Sequence, residues 1–200
     1  MSNYYTIQNK TEGLYKEKGS KFLSFAFPVD SEKSVKDIQE QLRKDFYDAR
    51  HHCYAWVLGM DEQSWRANDD GEPAHSAGDP ILGQIRSFEL TNVLVVVIRY
   101  FGGTKLGVGG LINAYRISTE AALKQAAKLT IFETKTLEMK FPYEMMSTAE
   151  RLVEEFDIDV QNRDFQLSCT ITGSLKKDLI DSFREKIDDL YTMTFQIEDL

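Results

Sequence analysis

Two kinds of hydrophobic spacing alternate along this chain. Phe22, Leu23, Phe25, Phe27 and Val29 crowd into a short run stopped by Pro28, which predicts a strand. Val35, Ile38, Leu42 and Phe46 then fall three or four apart, the period of a helix, with Asp30 or Ser31 placed to cap it. His52 through Leu58 predicts another strand. After Trp65-Arg66 a polar, proline-punctuated loop runs from Asn68 to Pro80, and a short helix follows through Leu82, Ile85 and Phe88. Val93 to Tyr100 is an apolar strand, and a long helix is expected from about Gly109 to Lys128, rich in alanine at Ala121, Ala122, Ala126 and Ala127. Residues 1–130 therefore read as an α+β domain, a mixed sheet covered by helices.

Beyond Thr130 the pattern becomes regular. Leu137, Met139 and Phe141 alternate as a strand, and Met146, Ala149, Leu152, Val153 and Phe156 hold helical spacing. Ile158 and Val160 begin a second strand that turns near Asn162-Arg163-Asp164. Phe165, Leu167, Cys169 and Ile171 line one face of a third, ended by Gly173-Ser174. Ser174 is a candidate N-cap for a helix through Leu179, Ile180, Phe183 and Ile187, and Tyr191, Met193, Phe195 and Ile197 close with a fourth strand. The order βαββαβ predicts a ferredoxin-like second domain over residues 131–200, with Cys169 in its core.

Composition narrows the setting. Two hundred residues at 42% hydrophobic content suffice for one large or two small domains. Cys53 and Cys169 are too few and too distant for a disulfide framework, which fits a reducing cytoplasm. The opening residues, Met1-Ser2-Asn3-Tyr4-Tyr5-Thr6, lack a basic stretch followed by an apolar one, and no apolar run approaches the roughly 20 residues that span a bilayer. A cytoplasmic protein without membrane contact is expected. Residues 1–130 hold 16 Lys and Arg against 16 Asp and Glu, whereas residues 131–200 hold 8 against 16, so the whole net charge of −8 lies in the last third. An acidic tail repels a nucleic-acid backbone, so any phosphate contact belongs to the first domain.

Three segments there hold candidate chemistry. Straight after the apolar strand the chain reads Arg99-Tyr100-Phe101-Gly102-Gly103-Thr104-Lys105-Leu106-Gly107-Val108-Gly109-Gly110, five of its 12 glycines within nine residues. A glycine loop between strand and helix aims unpaired backbone N–H groups outward, and Arg99, Lys105 and Arg116 lie near enough in sequence to add positive charge for an anion. The same loop also reads as a tight turn packed on its own sheet. Its spacing matches neither the P-loop nor the dinucleotide fingerprint.

The second segment, Asp48-Ala49-Arg50-His51-His52-Cys53-Tyr54-Ala55-Trp56, places two of the three histidines beside a cysteine. With His75 it has the makings of a Cys–His pair or a zinc site, but the ligands are too few, and a half-buried strand start bonded to Asp69 and Asp70 explains the same residues. The third, Asn68-Asp69-Asp70-Gly71-Glu72-Pro73-Ala74-His75-Ser76-Ala77-Gly78-Asp79-Pro80, puts three carboxylates in four residues. Hard cations take oxygen ligands, but Asp and Gly are also ordinary turn residues and the pattern lacks the late bidentate glutamate of an EF-hand. Folded against the glycine loop, it would complete one cleft.

Together the phrases Ala49-Arg50-His51-His52-Cys53-Tyr54-Ala55, Asp69-Asp70-Gly71-Glu72-Pro73 and Arg99-Tyr100-Phe101-Gly102-Gly103-Thr104-Lys105-Leu106-Gly107 resemble the signature of the IMPACT family, in its bacterial YigZ-like form, over residues from about 20 to 128. The resemblance implies that the first domain has the fold of the second domain of ribosomal protein S5 and that the tail is similar to a domain of elongation factor G. It also implies a link to translation. Eukaryotic relatives restrain a stress-responsive kinase pathway through an additional N-terminal domain with no counterpart in this sequence, so that role is not carried over. Many relatives read Ser-Gly-Thr-Ala-Gly where this chain has Ala74-His75-Ser76-Ala77-Gly78, so no acid–base role for His75 is carried over either.

The function expected is a non-enzymatic, translation-linked regulator that binds RNA, the ribosome or a translation factor, without DNA sequence specificity and without a cofactor or metal. Arg99, Lys105 and Arg116 would meet phosphate beside the backbone of Gly102, Gly103, Gly107, Gly109 and Gly110, while Tyr100, Phe101 or Trp65 stack bases. His51, Asp69, Asp70, Glu72 and His75 would face them. The alternative is a small metal-assisted hydrolase or phosphoryl-transfer enzyme, with Asp69, Asp70 and Glu72 on the metal. A third reading is a module that docks on protein through the acidic tail.

Overall fold

The structure, a computed structural model, describes residues 3–59, 64–165, 168–190 and 192–198. The chain divides into two units, Tyr4–Ile131 and the residues from Phe132 onward together with Asn3. Among the described residues no helix is long and apolar enough to cross a membrane.

The first unit runs β1 (Asn3–Ile7), β2 (Thr11–Glu17), β3 (Ser20–Pro28), α1 (Glu32–Asp45), β4 (His51–Leu58), β5 (Ser64–Asn68), α2 (Gly78–Ser87), β6 (Val93–Tyr100), α3 (Gly107–Leu123) and β7 (Lys128–Phe132). Its main sheet has the order β2-β3-β6-β4-β5. Every pairing in it is antiparallel, so the expected mixed sheet is corrected. The cause is topological. The like-directed strands β3 and β4, joined through α1, are held apart by β6, and no parallel neighbours meet.

Because β6 is central and covered on both faces, it reads as one continuous apolar run. Val93, Val95 and Val97 pack under α2 and α3 with Phe22, Ile81 and Leu111. Leu94, Val96 and Ile98 pack under α1 with Val35, Leu42 and Trp56. Arg99 continues the first of these rows. Helix α1 is capped by Ser31, whose side chain accepts from the Ser34 N–H in a capping box.

Four strands escape the sequence pattern, and all lie at margins. β2 and β5 are the edges of the main sheet, where one polar side is ordinary. β1 and β7 form a separate two-stranded sheet, and Tyr5 of β1 also bridges Leu90 in parallel. The expected end of α3 at Lys128 is corrected to Leu123, because Ala127 gives its carbonyl to the Gln8 N–H (3.0 Å) and the chain turns into β7. Helix α3 also begins two residues early, at Gly107. Helix α2 starts at Gly78, ahead of Pro80, since a first-turn proline lacks only an N–H that the helix leaves unpaired anyway.

The second unit runs β8 (Thr134–Phe141), α4 (Met146–Glu155), β9 (Asp159–Phe165), β10 (Cys169–Lys176), α5 (Ile180–Asp188) and β11 (Thr194–Glu198). One antiparallel sheet has the order β11-β8-β10-β9. Leu137, Met139, Phe141, Cys169 and Ile171 face Leu152 and Phe183 in one core. The expected turn at Asn162-Arg163-Asp164 is corrected. These residues are paired in β9, where polar side chains are tolerated at the edge and Arg163 forks onto Glu150 at 3.0 and 3.1 Å. Gly173-Ser174 likewise does not end a strand. It lies inside β10 opposite a bulge at Gln161 of β9, so Ser174 is no helix cap. Leu167 and Tyr191, assigned to strands from sequence, lie outside the described residues.

Candidate functional site

Strand register builds the site. Arg99 lies opposite Phe22 on β3 and opposite His51 on β4, so the three share one row on the face beneath α2 and α3. Arg99 Nη1 donates to Glu72 Oε1 at 2.6 Å, with both side chains buried. Tyr115 Oη, from α3, donates to the same Glu72 oxygen at 2.8 Å. Beneath it Cys53 Sγ sits 3.3 Å from Tyr115 Oη and donates to the Asp69 carbonyl at 2.9 Å. A polar chain thus runs from Cys53 through Tyr115 and Glu72 to Arg99. The Arg99 Nε is buried without a protein partner among the described residues.

Above Arg99 opens a cleft of about 730 Å³. Its walls come from Arg50 and His51 at the start of β4, from Glu72 and Pro73, from Tyr100 and Phe101, and from Lys105 to Val108 at the start of α3. No side chain caps α3 and its first turn holds no acid, so its leading N–H groups lie uncapped at the rim. They favour negative charge there, as Arg50 and Lys105 do.

Of the residues singled out in the sequence, His51, Glu72, Arg99, Tyr100, Phe101, Lys105 and Gly107 meet in this cleft. The others do not. Arg116 is turned to Glu120 and Asn113 on its own helix. Gly102 packs on the β2–β3 turn, where a Cβ would stand 1.9 Å from the Gly19 carbonyl carbon, so its smallness is required by packing and not by a ligand. Gly103 takes φ +88 in the turn, and Gly109 and Gly110 belong to α3 without lining the cleft. Trp65 stacks on Arg86 (5.0 Å), away from the cleft.

The acidic loop disperses its carboxylates. Asp69 accepts from the N–H groups of His75, Ala77 and Gly78, capping α2 from outside its own sequence. Burial alone would raise its carboxyl, but these three donors outweigh that and hold it below the usual range. Asp70 is also held low, since the Arg43 guanidinium (2.9 Å) and the His52 N–H (2.6 Å) overcome its burial. His75 bonds Asp79 (2.7 Å) and the His51 ring bonds the Asp70 carbonyl (2.9 Å). Asp69, Asp70 and Glu72 are thus committed to three separate partners. The shared metal site drawn from them is corrected, and no other group of three His, Cys, Asp or Glu side chains suits a metal among the described residues.

Cys53 is no nucleophile either, because full burial pushes its thiol up and away from the thiolate. Burial also lowers His52, which Arg43 reinforces, keeping that ring neutral on the α1 face. Sequence reasoning missed Arg50 and Tyr115. Tyr115 had a signal, a phenol on the same α3 face as Leu111, Ser118 and Ala122, where only a partnered hydroxyl is buried cheaply.

The model of the Impact N-terminal domain matches residues 18–123. The chain is 32% identical over 182 residues to IMPACT family member YigZ of Escherichia coli (strain K12), covering 90% of this chain and 89% of that one. It is 27% identical over 172 residues to an IMPACT family member of Haemophilus influenzae, covering 85% and 84%. A crystal structure of a hypothetical protein matches it with a TM-score of 0.71 at 29% identity, over 100% of this chain and 98% of the other.

Proposed function

The chain belongs to the IMPACT family, and on that premise we propose that it is a translation-linked, non-enzymatic regulator of the cytoplasm that binds RNA through the cleft of its first unit. One observation carries the reading: Arg50, Arg99, Lys105 and the uncapped start of α3 gather on one concave surface. Phosphate is the anion that this surface suits, because backbone N–H groups and cations both favour it without reading a base. Ribosomal RNA is the form of that ligand most in keeping with a role in translation.

Two further readings accompany it. The order βαββαβ with strands β11-β8-β10-β9 supports a ferredoxin-like second unit, and the antiparallel sheet with α1 on one face and α2 and α3 on the other supports an S5-like first unit. The second unit is a poor rival for RNA. The side of its sheet away from the helices carries Thr136, Glu138, Lys140, Thr170, Thr172 and Ser174, polar groups without an aromatic platform among them, in the third of the chain that holds the whole net charge of −8.

The test is titration of labelled RNA at several salt concentrations. Lys105 is exposed and has no ion-pair partner among the described residues, so Lys105→Glu leaves the fold intact, weakens binding across sequences and lowers its salt slope. Sedimentation with ribosomes, with and without RNase, then separates binding to RNA from binding to protein. Wild-type protein that binds no RNA, or Lys105→Glu that binds identically, ends the proposal.

A further inference from the structure

Tyr100 and Phe101 form a ridge with a groove on each side. One groove is the cleft; the other, of about 480 Å³, is lined by the same two aromatic residues together with Leu14, Lys16 and Lys21. Strand register sets Lys16 directly opposite Lys21, and Lys21 opposite Tyr100, so the three occupy one row across β2, β3 and β6. Like charges facing each other across antiparallel strands repel. Both lysines are exposed, and neither has a carboxylate within ion-pair distance among the described residues. Such a row is relieved by an anion lying over it.

The ridge itself is held from beneath. Phe101 is 56% exposed, and the Arg99 guanidinium carbon lies 5.6 Å from its ring centre and 5.6 Å from that of buried Phe22. Glu72 fixes that guanidinium. An exposed aromatic ring is thus anchored by a buried cation and flanked by free cations on both sides. Single strands use that arrangement, stacking bases on rings while their phosphates follow the charge. A duplex keeps its bases stacked inside and offers none to the ring.

Resting on the reading that the cleft binds RNA, we propose that the ligand is single-stranded and crosses this ridge. A base stacks on Phe101, with phosphates at Lys105 and the start of α3 on one side and at Lys16 and Lys21 on the other.

The experiment is fluorescence anisotropy of the full chain with a labelled 12-nucleotide oligouridylate and with a 12-base-pair RNA duplex, at several salt concentrations. The single strand should bind at least about tenfold more tightly. Phe101→Ala should weaken it at least about fivefold, the low end of what one stacked base contributes. Phe101→Trp should restore binding, whereas Phe101→Leu, apolar but without a π face, should behave like alanine. Lys16→Gln combined with Lys21→Gln should flatten the salt slope by about 1.4, at about 0.7 per phosphate. Equal affinity for the duplex, or unchanged binding by Phe101→Ala while Lys105→Glu still weakens it, overturns the path over the ridge and leaves the cleft reading standing. Absence of all RNA binding overturns both.

Discussion

Glu72 and Arg99 form a buried ion pair at 2.6 Å, 27 residues apart in sequence, with side chains 4% and 8% exposed. Removing one member strands the other charge away from water. Glu72→Ala should therefore destabilise the first unit by about 3–5 kcal/mol, and Glu72→Gln combined with Arg99→Met by less, because no buried charge then remains. Trp56 and Trp65, the chain's two tryptophans, both lie in this unit. Their fluorescence during urea unfolding reads its stability alone.

Asp69 makes the stability of that unit depend on acid. Its folded carboxyl titrates below its unfolded value near 3.9, so the stabilisation is fully present above that value and is lost as pH falls through the lower, folded one. Asp69→Asn keeps one oxygen for two of the three N–H donors and turns an amide NH2 group to the third, so it should cost about 1 kcal/mol at pH 7, the worth of one lost hydrogen bond, and flatten the stability profile below about pH 4. Unfolding midpoints at pH 7, 5, 4 and 3 decide it.

Two glycines of the run 102–110, one in the loop and one in α3, should answer alanine with opposite signs. Gly102→Ala drives a Cβ into the Gly19 backbone and should cost about 1–3 kcal/mol or more. At Gly109, inside α3, an added Cβ meets nothing within 4 Å, so Gly109→Ala should stabilise by about 0.5–1 kcal/mol. Thermal melts of the two variants make the comparison.

We propose that residues 132–200 fold alone. Among the described residues, the apolar core of that unit, from Leu137 to Met193, draws on none before β8. The isolated fragment should give a mixed helix and strand circular dichroism spectrum and one cooperative melt; a spectrum of disorder refutes it.

The sequence disclosed what burial on two faces writes into it. β6 and the α1 and α4 periods were legible because each buries a full row, as Leu94, Val96 and Ile98 do under α1. Strands β2 and β5 were not, since an edge strand with a polar side leaves no period stronger than that of a loop. At the site, His51, Glu72, Arg99 and Lys105 were legible as members of unusual phrases. Which carboxylate met Arg99 was not, because Asp69, Asp70 and Glu72 look alike in sequence, and only the fold of the loop sends one to α2, one to Arg43 and one to Arg99.

The pairing of β1 with β7 joins the two ends of the first unit, and its consequence is one of time. A ribosome makes Tyr4–Ile7 first, yet the strand partner of that segment comes more than 120 residues later. At synthesis rates of about 5–20 residues per second, β1 waits on the order of ten seconds for it. A nascent chain stopped anywhere before Lys128 holds β1 by its bridge to Leu90 alone, and the two-stranded sheet closes only when β7 arrives.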